Sequence, residues 1–197
     1  MATPPSVAHL KEEAFGQAGW GRRGEFMLGT ARVRFERSAE TLSLFEPLPA
    51  GMRTPLRFNW AGPAGDSTTT CEAWTPEAGA NVRTTGAKPW VLSCRWSNPA
   101  AAMVQVGEGQ VRSGKLGRDG AYRRGELTLG LRSVHLLEGN AEPQTAAVGY
   151  EMLREGQVVG SLDLSGNSPR LRRPDPATPV GRAVTEAALA LALAWEP

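Results

Sequence analysis

With 197 residues, of which 41% are hydrophobic and 21% charged, the chain has enough apolar material to bury one sizeable core, and disorder is excluded as its general state. Its 23 glycines and 15 prolines favour many short strands over long helices. Net charge is only +2, yet 19 arginines stand against 3 lysines. Arginine suits phosphate contacts and base stacking, and it is also what a high-GC bacterial coding sequence supplies.

The N-terminal stretch MATPPSVAHLKEEAF has no basic segment leading into an apolar one, so it does not read as a secretory leader. No stretch is apolar for long enough to span a bilayer as a helix. A cytoplasmic protein is expected. A helix is predicted from Ser6 to Gln17, with Glu12 and Glu13 on a solvated face beside Lys11.

The chain then shows an internal repeat. Arg22 to Glu36 (RRGEFMLGTARVRFE) and Arg123 to Leu137 (RRGELTLGLRSVHLL) share Arg, Arg, Gly, Glu, Leu, Gly and Val at corresponding positions without a gap. Further on, Cys71-Glu72-Ala73-Trp74 lines up with Tyr150-Glu151-Met152-Leu153, and Val91 to Ser97 with Val159 to Ser165. Cys94 and Trp96 then stand where the second copy has Leu162 and Leu164, which predicts a shared buried face. One domain is expected over residues 1–197, with unit one at 21–99, unit two at 122–169, and a connector of one or two strands between them. In unit two, Val148, Tyr150 and Met152 alternate on one strand, Arg154-Glu155-Gly156-Gln157 turns, and Val158, Leu162 and Leu164 alternate on the next.

Catalytic signatures are scarce, so no enzyme is expected. His9 and His135 are the only histidines, neither at a metal-ligand spacing, and no metal or cofactor is expected. His135 reads as a surface or interstrand residue. Gly109 to Leu116 nearly spells a phosphate-binding loop, but Leu116 stands where a magnesium-binding hydroxyl is needed and Gly117-Arg118-Asp119-Gly120 breaks any following helix; a glycine-rich hairpin is predicted instead. Cys71 and Cys94 occupy core positions on neighbouring strands. Buried thiols suit a cytoplasmic chain, whereas a disulfide requires adjacent strands and an oxidising compartment; the thiol reading is preferred.

RLRRPDPATP, residues 170–179, leads to the last helix, with Thr178 as N-cap and Pro179 as first helical residue over 179–195. From Arg182 to Trp195 it reads RAVTEAALALALAW, apolar around its circumference past Glu186. Too short to cross a bilayer, such a helix must be surrounded by protein. The fold class expected is mainly β: a duplicated antiparallel β-barrel or a strongly curled sheet enclosing an apolar C-terminal helix. The hairpin of Gly149 to Leu164 and the helix of Arg182 to Trp195 give the chain an architecture that resembles the tubby and phospholipid-scramblase-like barrels. That resemblance implies a closed barrel around the helix and, for function, a lipid or membrane-surface module; it carries no site residue over.

The residues themselves point first to a non-enzymatic protein that binds single-stranded DNA or RNA. Arginine clusters at Arg22/Arg23, Arg32/Arg34/Arg37, Arg112/Lys115/Arg118, Arg123/Arg124 and Arg170/Arg172/Arg173 would meet phosphates. Trp20, Trp90 or Tyr122 would stack on unpaired bases. The repeat places Arg22/Arg23 and Arg123/Arg124 at equivalent ends of two units, giving two related basic edges. A lipid-surface or protein-interaction scaffold is the alternative.

Overall fold

Buried and exposed residues alternate along most of the chain, as the period of a strand with one wet face requires. A computed structural model describes residues 1–16, 22–37, 53–63, 65–74, 91–98, 101–112 and 115–194. Its strands begin with β1 (Glu12–Ala14), β2 (Arg23–Leu28), β3 (Ala31–Arg37), β4 (Arg53–Gly62), β5 (Gly65–Trp74) and β6 (Val91–Asn98). They continue through β7 (Ala102–Arg112), β8 (Lys115–Arg124), β9 (Leu127–Val134), β10 (Gly149–Arg154), β11 (Gln157–Asp163) and β12 (Arg170–Arg172), and helix α1 (Pro179–Leu193) follows.

Strands β2 to β12 follow one another as an antiparallel meander, and β1 adds on beyond β12. The sheet curls into a nearly closed barrel: Phe15, just past β1, bridges Leu28 of β2, and the Gly16 amide donates to the Met27 carbonyl at 2.9 Å. The two ends of the sheet thereby serve each other's edge groups. Completing this seam overrides the helix expected from Ser6 to Gln17: a single 3-10 turn at Pro5–Val7 is followed by β1. Nor are Glu12 and Glu13 a free solvated face, since they pair with Arg172 at 3.0 Å and Arg173 at 2.6 Å.

Helix α1 lies in the barrel. Thr178 caps it by accepting from the Gly181 amide, Pro179 opens it, and Ala183 to Leu191 are buried without interruption, so no wet stripe remains. Trp195 lies outside the described residues. The barrel wall makes room for the helix at Gly160 of β11, where a Cβ would stand 2.5 Å from Val184 Cγ1. The core is therefore the inner face of the sheet packed around α1, including Phe26, Phe58, Leu92, Leu129, Met152 and Leu162. No described helix is long and apolar enough to cross a membrane.

The repeat maps onto this wall unevenly. In the first copy the chain turns at Gly29-Thr30, after the shared Leu-Gly, whereas in the second it turns at Gly125-Glu126, before it. Val33 and Phe35 are buried, but their counterparts Val134 and Leu136 are half-buried and exposed. The ungapped match thus pairs a turn with a strand interior, and β2 opens with Arg23 while β8 closes with Arg124. The later match lies on equivalent cross-strand pairs: Cys71 faces Cys94 across β5 and β6, and Tyr150 faces Leu162 across β10 and β11. Cys94, Trp96 and Leu162 are buried, and Leu164 packs partly buried against the same core. Cys71 and Cys94 form a disulfide and are not thiols, because the register sets them directly opposite on adjacent strands.

The predicted β10–β11 hairpin turns through Glu155 and Gly156, both with positive φ (52° and 82°), as a two-residue turn of the primed type requires.

Candidate functional site

Successive residues on a strand point to opposite faces, so the barrel separates its arginines into an outer and an inner set. On the outer wall one row runs across eight strands through consecutive register partners: Arg23, Glu36, Arg57, Thr70, Arg95, Met103, Arg123 and Thr128. Arg57, Arg95 and Arg123 are exposed. Each is two strands from the next, about 10 Å at ordinary strand spacing. Among the described residues none of the three has an ion pair or side-chain hydrogen bond. Of the acids near them, Glu36 is engaged by Arg23 Nε at 2.9 Å, and Glu72, two residues along β5 from Thr70, is also partnered.

Neighbouring arginines on β3 are neutralised. Arg32 and Arg34 both meet Glu25, at 3.2 Å and 2.6 Å, and the Arg34 hydrogen bond lowers the pKa of that carboxyl. Arg57, Arg95 and Arg123, on β4, β6 and β8, have no such partner among the described residues.

The inner set surrounds one carboxylate. Glu186, in the second turn of α1, is fully buried. Its Oε2 accepts from the Tyr122 hydroxyl at 2.6 Å and its Oε1 from Arg182 Nε at 3.0 Å and Ser67 Oγ at 3.2 Å. One Arg124 nitrogen spans both oxygens, at 2.8 Å and 2.6 Å. Burial, then the adjacent Glu186 charge, pushes the Tyr122 phenol pKa far up, so the hydroxyl remains a donor. The Arg182 guanidinium lies 5.5 Å from the Trp60 ring, and the rings of Trp96 and Tyr122 meet edge to face at 5.7 Å. A further inner arginine, Arg173, reaches Thr185 and Glu13.

The predicted site residues are divided by this arrangement. Arg23 and Arg123 share the outer row, near its two ends, and Arg22 is exposed beside Arg23. Arg124 points inward to Glu186, because it follows Arg123 on the strand; the expected basic pair is split between the faces. Tyr122 is 0% exposed, so it cannot stack on a base without leaving the core, and the expectation of a surface ring is corrected. Trp20 and Trp90 lie outside the described residues. Arg57 and Arg95 stand alone in the sequence, and only the register places them in one row with Arg123. Glu186 carried a signal that was available: it is the one acid between Arg182 and Trp195 in an otherwise apolar helix.

His135 is buried just past β9 and braces the loop that follows, so it is not a surface residue. Its Nδ1 lies 3.1 Å from the Gln144 carbonyl and its Nε2 3.0 Å from Ser133 Oγ, and that serine accepts from the Arg118 amide at 2.7 Å. The described residues of the near phosphate-loop sequence end β7 and begin β8, which pair antiparallel, and the Gln110 amide donates to Asp119 Oδ2 at 3.1 Å; residues 113 and 114 lie outside the described residues.

Compared with protein-family models, curated proteins and solved structures, the chain matches none.

Proposed function

We propose that the protein is a non-enzymatic binding module for single-stranded nucleic acid, held along the outer wall of the barrel. The observation that carries this reading is the row Arg57, Arg95 and Arg123, exposed and without a carboxylate partner among the described residues. Guanidiniums so presented gain more from phosphate than from water, through paired hydrogen bonds and release of condensed counterions. Thr70 and Thr128 stand in the same row and add hydroxyls for phosphate or sugar oxygens. A single strand can follow the curve of such a wall. A duplex meets it at fewer points.

The barrel with a helix inside also supports the alternative, a lipid-surface or scaffold module of tubby or scramblase-like architecture. Fluorescence anisotropy separates the two, using labelled single-stranded DNA and RNA, duplex DNA and anionic vesicles at low salt. Binding of single strands over duplex and vesicles is expected; binding to vesicles alone favours the alternative, and binding to none overturns both the nucleic-acid and the lipid reading. The Cys71–Cys94 disulfide speaks for an oxidising compartment and against the expected cytoplasmic location, and the oxidation state of the pair in cells decides between the two. Reducing cytosol holds such a pair as thiols, so a disulfide recovered from cells under alkylating lysis removes the cytoplasmic assignment.

A further inference from the structure

The outer row meets phosphate and sugar, and of the rings expected to stack on bases only Tyr122 lies among the described residues, inside the core. A place for a base opens instead where the row ends. Thr128, the last residue of the row, pairs with Arg123 near the start of β9. The β8–β9 ladder runs on to Leu127, but the β9–β10 ladder stops at Gly130 and Leu153. Past that pair β9 and β10 are no longer joined, and a notch of about 710 Å³ opens at the tips of the β8–β9 and β10–β11 hairpins, with Thr128 in its lining.

Leu127 and Leu153 line the notch from the two strands, and Pro179 and Val180 line it from the start of α1. Gly130 keeps it open: a Cβ there would stand 3.8 Å from Leu153 Cβ, in ordinary contact. Apolar side chains of this kind take the faces of a base held out of its stack. The edge of the base then meets the rim. Glu126 and Glu155 are exposed there; Glu155 meets Arg154 at 3.5 Å, whereas Glu126 has no ion pair or side-chain hydrogen bond among the described residues. An ionised carboxylate only accepts. It therefore pairs with an exocyclic amine, such as cytosine N4 or adenine N6, and repels the O4 carbonyl that thymine presents instead. Arg154 on the rim and Arg123 across from Thr128 supply positive charge against repulsion between Glu126 and the phosphates.

We infer that this notch holds one base of the bound strand and selects a base that carries an exocyclic amine, with Glu126 accepting from that amine. The inference rests on the nucleic-acid reading of the outer row. It adds to that reading a base contact and a sequence preference, neither of which a row of guanidiniums supplies.

The test is fluorescence anisotropy at low salt with labelled oligo(dC) and oligo(dT) of equal length. Wild type should bind oligo(dC) about tenfold more tightly, the size of one good base-edge contact. Glu126→Gln, whose amide can also donate to O4, should bring the two affinities within about twofold of each other. Gly130→Leu, which fills the notch, should do the same. Arg57→Ala/Arg95→Ala/Arg123→Ala should weaken both oligonucleotides. A second readout uses oligo(dT) with a single 2-aminopurine, the one amine-bearing base in that strand: its fluorescence should be shielded from acrylamide by wild type and not by Gly130→Leu. Equal wild-type affinity for oligo(dC) and oligo(dT), with binding still lost in the triple variant, overturns the notch and leaves the row. A cytosine preference that survives both Glu126→Gln and Gly130→Leu also overturns the notch. Failure of wild type to bind either oligonucleotide overturns the row and the notch together.

Discussion

Glu186→Gln keeps the shape of the side chain and removes the one negative charge that Arg124 and Arg182 share in the barrel interior. The side chains of Arg124 and Arg182 are only 17% and 9% exposed, so water does little to replace the lost partner. Breaking a buried pair by removing one member costs about 3–5 kcal/mol, and the new amide N–H₂ group would also face donors where a carboxylate oxygen accepted. At roughly 2–4 °C per kcal/mol for a chain of this size, Tm should fall by about 6–20 °C. Urea titration followed by circular dichroism reads the same loss as a lower midpoint at unchanged m. Adding Arg182→Leu to Glu186→Gln should restore at least about 1 kcal/mol, because one uncompensated charge leaves the interior. A Glu186→Gln variant within about 1 kcal/mol of wild type would show that the carboxylate does not hold the helix in place.

Leu191 is buried on α1, and Leu191→Asp places an unpaired carboxylate inside the barrel, so soluble expression should be lost; a folded variant with the wild-type Tm would contradict an enclosed helix. The Cys71–Cys94 link closes a loop with a sequence separation of 23, for which chain entropy gives about 3 kcal/mol, and reduction should lower Tm by roughly 6–12 °C. The unreduced denatured protein should correspondingly show no titratable thiol. Tyr122 retains its proton in the native state well above the pH of about 10 at which an unfolded tyrosine releases it. Its contribution is therefore intact below about pH 10 and declines as pH rises past that point, when only the unfolded state ionises. Phenolate absorbance should show tyrosine ionisation arriving with unfolding, and Tyr122→Phe should reduce that coupling without abolishing it, because Tyr150 is also buried.

The barrel and its helix were legible because they depend on local pattern. Alternation along Val148, Tyr150 and Met152, a turn at Glu155-Gly156, and the Thr178-Pro179 start of an apolar helix each carry a signal within a few residues. The N-terminal segment misled because its fate is decided by a seam between β12 and β2, far away in sequence. The repeat misled in its first half for a related reason: identical Arg-Arg-Gly-Glu stretches meet different turns, so the same residue pair ends one strand and begins another. The site was half legible. Arg23 and Arg123 were singled out by their clusters, but Arg57 and Arg95 become neighbours of Arg123 only through pairing across β4 to β8. Arg124 and Tyr122 read as surface residues within an arginine cluster, yet alternation along β8 turns both inward.

The central claim, that a row of unpaired guanidiniums on the outer wall holds a single-stranded polyanion, is tested most directly by the salt dependence of oligonucleotide binding. Three phosphate contacts at about 0.7 counterions each predict a slope of log K against log salt near −2 for wild type. Arg57→Ala/Arg95→Ala/Arg123→Ala should fold as wild type, lose most of the affinity and show a slope near zero. Equal affinity and slope in the two proteins, or no wild-type binding at low salt, would contradict the claim.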